Sequence, residues 1–249
     1  MYNPFSLEGK TILITGASSG IGRSTAIECS KLGASVILCG RNIERLEETI
    51  NNLEGKDHSI LEFDITNILN KDFISQIPNI NGIVHSAGIS QMIPVKFMNS
   101  ASLKEIMDVN FIAPFVFNNS LIKNKKISNK GSIVFISSIS GNIATQIGET
   151  GYGASKAALL GYIKGCALEL ATKGIRVNGI LPGIIETPLL NKAFEKFSAE
   201  EINRIKKKYP LQRFGNPKDV ALCAVFLLSD SSSFITGSNI VMDGGFSLS

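Results

Sequence analysis

Thr11-Ile-Leu-Ile-Thr-Gly-Ala-Ser-Ser-Gly-Ile-Gly22 carries a short apolar run straight into a glycine-rich turn, and a helix-like segment from Ile21 to Lys31 follows. Five apolar and β-branched residues bounded by turn signals read as a strand. The glycines at 16, 20 and 22 permit positive φ and let the backbone approach a ligand closely. The helix beyond them offers unpaired N–H groups and the positive end of its dipole. Strand, glycine turn and helix in that order form a seat for a pyrophosphate. The spacing is Gly-x-x-x-Gly-x-Gly, whereas the commoner form is Gly-x-Gly-x-x-Gly, and a glycine-rich turn without a ligand can look the same in isolation.

Outward from this unit the pattern repeats. Further strand candidates are 35–39, 59–63, 82–85, 132–136, 175–180 and 239–242. Several are continuously apolar, as strands covered on both faces are. Helix candidates at 43–52, 102–123, 152–171 and 217–228 alternate with them. The alternation predicts an α/β fold: a single Rossmann-like domain over 1–249, with a doubly wound parallel sheet of about seven strands and helices on both faces. No linker or internal repeat divides the chain. The alternation is interrupted at 189–214, after the sixth strand, where an open α/β sheet keeps its ligand.

Composition narrows the function classes. Charged residues are 18% of the chain and the net charge is +4, too modest a balance to call for nucleic acid or an anionic membrane as partner. No apolar run approaches the ~18 residues of a membrane span, and the first residues do not read as a signal peptide. Cys29, Cys39, Cys166 and Cys223 form no Cys-x-x-Cys pair, which suits a reduced, cytoplasmic compartment. With only His58 and His85 besides, a metal site is not expected.

Two further features carry chemistry. Where the second strand ends, Cys39-Gly40-Arg41-Asn42 has no acidic residue to bind a ribose 2′-hydroxyl, and Arg41 suits a 2′-phosphate. Arg41 can equally be a solvated residue opening the next helix. Tyr152 and Lys156, four residues apart, share one face of a helix. A phenol titrates near 10, and a neighbouring ammonium lowers that value toward neutrality, as a general acid requires. A surface Tyr and a solvated Lys have the same spacing.

Taken together, these motifs resemble the compact short-chain dehydrogenase/reductase family over nearly the whole chain. The resemblance rests on Thr15 to Gly22, Asp64, Ala87-Gly88, Asn110, Ser138, Tyr152-x-x-x-Lys156, Pro182-Gly183 with Thr187, and Asp243-Gly244-Gly245. It implies that Tyr152 is the acid/base, that Lys156 lowers its pKa and holds the nicotinamide ribose, and that Ser138 binds the substrate oxygen, with Ser137 as the neighbouring alternative. It also implies that Asn110 bends its helix and holds a water in a proton relay. Gly16, Ser18, Ser19, Gly20, Ile21, Gly22, Arg41, Asp64, Ile65, Ser86, Ala87, Gly88, Pro182, Gly183, Ile185 and Thr187, with Tyr152 and Lys156, would hold the dinucleotide. Many members have Asn-Asn-Ala-Gly where this chain has His85-Ser-Ala-Gly88. Ser86 can still serve the ribose, and His85, ending a buried strand, reads as structural.

The nearest general resemblance is to 3-oxoacyl-carrier-protein reductases. It implies a small-molecule carbonyl or acyl-carrier substrate and its reduction to an alcohol, while Arg41 favours NADP(H) over NAD(H) and the family at large implies a homotetramer. Sugar and other secondary-alcohol dehydrogenases share the scaffold, and a nucleotide-binding sensor without catalysis is a reading of another kind. Lys125, Lys126, Lys130 and Lys173 could face an acidic carrier protein or be plain solvated surface.

Overall fold

A computed structural model describes residues 2–67, 71–195 and 197–248. Seven strands form one sheet: β1 (Thr11–Thr15), β2 (Ser35–Gly40), β3 (Ser59–Glu62), β4 (Ile80–His85), β5 (Ile127–Ile136), β6 (Arg176–Pro182) and β7 (Asn239–Met242). Their order is β3-β2-β1-β4-β5-β6-β7, and every pairing is parallel. The helices are α1 (Gly20–Lys31), α2 (Ile43–Ile50), α3 (Lys71–Gln76), α4 (Ser100–Met107), α5 (Ala113–Lys123), α6 (Thr150–Leu170), α7 (Pro188–Phe194), α8 (Ala199–Lys206) and α9 (Pro217–Leu228). This is the doubly wound α/β fold that the alternation predicts.

The two sheet faces explain why the strands are continuously apolar. On one face Leu13, Ile83, Ile133 and Val177 pack with Phe117 and Leu121 of α5 and Leu159 and Ile163 of α6. On the other, Ile12, Ile14, Val36, Val84 and Val134 pack with Ala26 of α1 and Val220, Ala224 and Leu227 of α9. Adjacent residues of one strand point to opposite faces, so Leu13 and Ile14 serve different cores and neither can be polar. The chain leaves β1 toward β2 and β3, then returns to the other side of β1 for β4 to β7. The carboxyl ends of β1 and β4 flank that switch point, where an open α/β sheet takes its ligand.

Two elements differ from the sequence pattern. The strand expected at 132–136 begins at Ile127, pairs Ile127 with Ile80, and shifts register before Gly82 pairs with Ser132. Lys130, at φ 63°, supplies the irregular residue that the shift needs. The helix expected at 102–123 is broken by a π turn at Asp108–Ile112, with the N–H of Ala113 donating to the carbonyl of Asp108. Pro114 has no N–H for the carbonyl of Asn110 four residues back, so regular α geometry fails there. A short helix, α3, is present that the pattern did not single out. Among the described residues no helix is long and apolar enough to cross a membrane.

Candidate active site

The turn after β1 is built to admit backbone against backbone. Gly16 has φ +68°, and a Cβ there would stand 2.9 Å from the Cα of Ala87 in the loop after β4. That loop is fixed by Thr15, whose hydroxyl accepts from the N–H of Ser86 at 3.1 Å and of Ala87 at 3.3 Å. Ser19 precedes the 12-residue α1 but gives it no side-chain cap, and the first turn holds no acidic residue. The helix N-terminus is thus open to an external anion. The glycine cradle and the open N-terminus together fit a dinucleotide pyrophosphate. A Cβ on Gly20 would stand 3.2 Å from the Cγ2 of Thr187, so the loop after β6 reaches the same turn.

Just after β2, the Nη1 of Arg41 lies 3.6 Å from Asp64 Oδ2, with 72% of the Arg41 side chain exposed. Asp64 also closes its own turn, accepting from the N–H of Thr66 at 2.9 Å and its hydroxyl at 2.7 Å. Burial acts to raise the Asp64 carboxyl, but these bonds and Arg41 outweigh it and hold the group below its usual range. Ile65 is built into the core and Ile185 is buried at the edge of the cleft.

The residues at the carboxyl ends of β4, β5 and β6 line a cleft of about 610 Å³. Ser86, Gly88, Ser138, Tyr152, Lys156, Pro182, Gly183, Ile185 and Thr187 all border it. Lys156 is 5% exposed, and its Nζ donates to the carbonyl of Ile136 at 2.9 Å and sits 5.8 Å from the Tyr152 ring centroid. Gly88 leaves room between the pairs: a Cβ there would be 3.1 Å from Asn110 Oδ1 and 3.4 Å from Lys156 Nζ. The two serines after β5 divide their tasks. Ser137 is buried and donates to the carbonyl of Lys156 at 2.9 Å, whereas Ser138 accepts from the N–H of Ser140 at 3.1 Å and bonds the Tyr152 hydroxyl. The structure therefore turns Ser138, and not Ser137, toward the phenol.

The electrostatics differ from the sequence expectation. Lys156 was expected to lower the Tyr152 pKa. Instead burial pushes Tyr152 up to about 12, the Ser138 bond opposes this, and Glu149 adds to it. Burial also brings Lys156 down to about 8. The spacing of four residues fixes a shared face but not its depth, and at this depth desolvation dominates the phenol.

Asn110 sits within the π turn at Asp108–Ile112. Its Oδ1 accepts from the N–H of Ile89 at 2.8 Å, and its Nδ2 donates to the Ile89 carbonyl at 2.9 Å and to Ser155 Oγ at 3.0 Å. The side chain is committed to holding the loop after β4.

His85 is buried at the end of β4. It is 4% exposed, stacks on Phe135 at 4.5 Å between centroids, and its Nε2 lies 3.3 Å from Asn118 Oδ1, while Nδ1 has no partner. Burial lowers its pKa from 6.5 to about 4. The unfolded chain therefore binds more protons between those values. The stability His85 contributes as a neutral ring is complete above pH 6.5 and falls away as pH drops to 4, by about 3 kcal/mol. Denaturant titrations at pH 7 and pH 4.5 are expected to show a smaller loss for His85→Asn than for the parent chain. Equal losses would remove His85 as the cause.

Sequence reasoning passed over Glu149, Ser140 and the aromatic side chains of Phe194, Phe197, Tyr209 and Phe246, which also line the cleft. Glu149 stands three residues before Tyr152, a helical neighbour spacing, and that was the available signal. The aromatics come from 189–214 and from the chain after β7, and only the tertiary fold brings them together. Lys196, within the first of these segments, lies outside the described residues. Among the described residues no cluster could hold a metal.

A doubly wound parallel sheet with a glycine turn after β1 and a cleft at its carboxyl edge defines a dinucleotide-binding α/β protein. A family model described as enoyl-(acyl carrier protein) reductase matches residues 16–247. The chain is 40% identical to the 3-oxoacyl-[acyl-carrier-protein] reductase of Rickettsia felis over 243 residues, covering 96% of this chain and 97% of the relative. It is 36% identical to the reductase of the same name from Thermotoga maritima over 247 residues, 96% of this chain and 98% of the relative. An Agrobacterium tumefaciens protein assigned as a 2-deoxy-D-gluconate 3-dehydrogenase, solved with bound NADP, superposes with a TM-score of 0.87 at 31% identity over 100% of both chains. The chain belongs to the short-chain dehydrogenase/reductase family and is an oxidoreductase.

Proposed function

We propose that the chain is an NADP(H)-dependent reductase that converts a ketone or 3-oxoacyl carbonyl to the alcohol, with Tyr152 as proton donor. The observation that carries this reading is the convergence of Ser138, Tyr152 and Lys156 in one cleft beside the glycine turn. A nicotinamide dinucleotide bound there supplies the hydride. The seat for it comprises Gly16, Ser18, Ser19, Gly20, Ile21 and Gly22 for the pyrophosphate, Arg41, Asp64 and Ile65 for the adenosine end, and Ser86, Ala87, Gly88, Pro182, Gly183, Ile185 and Thr187 with Tyr152 and Lys156 for the nicotinamide end.

The chain's own groups do the rest. Ser138 and Tyr152 donate to the substrate oxygen and take up the charge that develops on it. A phenol at about 12 is fully protonated at neutral pH, so Tyr152 has the proton that an alkoxide needs. Lys156, with a value near 8, carries an exchangeable proton beside the ring. Asn110 positions the loop 86–89 through Ile89.

Arg41 supports NADP(H). Its pairing with Asp64 is long and exposed, hence weak, and a 2′-phosphate can replace it with little loss. The apolar and aromatic lining of the cleft supports a carbonyl that carries an acyl or aryl group over a sugar. The four free cysteines support a reducing, cytoplasmic setting. The test is to follow NADPH absorbance with a panel holding a 3-oxoacyl thioester, alkyl and aryl ketones and a keto-sugar, with NADH alongside. The thioester is expected to turn over, with kcat/KM at least about tenfold higher for NADPH than for NADH, the worth of one charged bond. A panel that leaves NADPH untouched rejects the reading, and faster oxidation of NADH rejects its cofactor half.

A further inference from the structure

Glu149 and Lys156 are the only charged side chains among the described residues that line the cleft. Their charges are deployed differently. Lys156 is buried and its ammonium is bonded to the carbonyl of Ile136. Glu149 is only partly buried and has no Lys or Arg partner within ion-pair distance among the described residues. Its Oε2 accepts from Ser140 Oγ at 2.8 Å and from the N–H of Gln146 at 3.2 Å, which aims the carboxylate along the wall that carries Ser138. Ser140 in turn donates its N–H to Ser138 Oγ. Neither neutral bond cancels the charge. Its negative charge acts to raise the phenols of both Tyr152 and Tyr209, which also line the cleft.

We propose that Glu149 is a specificity-determining residue: its carboxylate, held on the cleft wall without an ion-pair partner among the described residues, makes the cleft disfavour substrates with their own negative charge beside the carbonyl, so that neutral 3-oxo esters, thioesters and ketones are taken in preference to free 3-oxo acids. The inference rests on the carbonyl-reductase reading and adds the charge class of its substrate. Two like charges confined in a partly desolvated cleft repel far more than they do in water. An acid whose carboxylate lies within a few ångströms of its ketone cannot bring that ketone to Ser138 and Tyr152 without approaching Glu149.

Glu149→Gln removes the charge and keeps an oxygen that can accept both bonds. Glu149→Asp keeps the charge and is the matched control. The comparison is kcat/KM for ethyl 3-oxobutanoate against 3-oxobutanoate in each protein. The ester-to-acid ratio is expected to fall by about tenfold or more in Glu149→Gln, mainly through a lower KM for the acid, and to stay near the parent value in Glu149→Asp. A ratio that is unchanged in Glu149→Gln, or that falls equally in both variants, overturns the proposal. Calorimetric binding of 3-hydroxybutyrate and its ethyl ester decides the matter independently of turnover. Acid binding that tightens in Glu149→Gln while ester binding does not supports the proposal, and acid binding no tighter than in the parent chain overturns it. A protein that discriminates in binding yet reduces neither 3-oxo compound loses the reductase reading and keeps the charge selection.

Discussion

Tyr152→Phe is expected to lower kcat/KM for a 3-oxoacyl thioester by about 10³-fold, within the range lost when a positioned general acid is removed. The substitution deletes one oxygen and keeps the ring, so the packing of α6 against the sheet is retained. Ser138 keeps its bond from the N–H of Ser140 and stays in place. On the proposed mechanism, what disappears is the donor to the substrate oxygen and the proton that completes the alcohol. Because the glycine turn lies at the other end of the cofactor seat, NADPH affinity from fluorescence titration is expected to stay within about threefold, a change under 1 kcal/mol. Ser138→Ala should cost less alone, and the double variant little more than Tyr152→Phe, since groups that act on one oxygen are not additive. Turnover by Tyr152→Phe within tenfold of the parent rate would reject the assignment, and lost NADPH affinity would show that the ring, and not its hydroxyl, was being tested.

The same residue shows where sequence stops informing. Strand and helix alternation was legible because each buried strand must satisfy two cores: Leu13 faces α5 and α6 while Ile12 and Ile14 face α1 and α9, so polar residues are excluded from three consecutive positions. The shared face of Tyr152 and Lys156 was legible because helical periodicity alone sets it. Depth is not a property of spacing. It comes from the segment 137–149 packing on α6, where a Cβ on Gly141 would stand 2.6 Å from the N of Ala157, and at that depth burial raises the phenol. The break at Asn110 follows the same logic. The apolar pattern of 102–123 is continuous, and only Pro114 marks the missing donor that permits the π turn. Glu149 escaped notice because no window of sequence reports whether a carboxylate on a cleft wall finds an ion-pair partner, and among the described residues it finds none.

Gly22→Ala is expected to weaken NADPH binding by about 100-fold, near 3 kcal/mol, and to lower Tm by several degrees. Gly22 does not need glycine for a left-handed φ. It needs it for space. A Cβ there falls 2.3 Å from the carbonyl oxygen of Gly16 and 2.7 Å from its carbon, both backbone atoms with no rotamer to retreat to. The turn must open, and overpacking of this kind costs about 1–3 kcal/mol in stability. Opening also moves the backbone that faces an incoming pyrophosphate, so affinity should suffer more than the fold. Gly20 is the instructive contrast, because its φ of +53° is strained for any side chain while its Cβ would meet only the movable Thr187 side chain. Gly161→Ala is the control: it lies within α6, a Cβ there meets nothing within 4 Å, and NADPH affinity should not change. Fluorescence titration and thermal melts of the two variants separate the effects. If Gly22→Ala melts earlier yet binds NADPH as tightly as the parent chain, the turn after β1 is a packing device and the dinucleotide is held elsewhere.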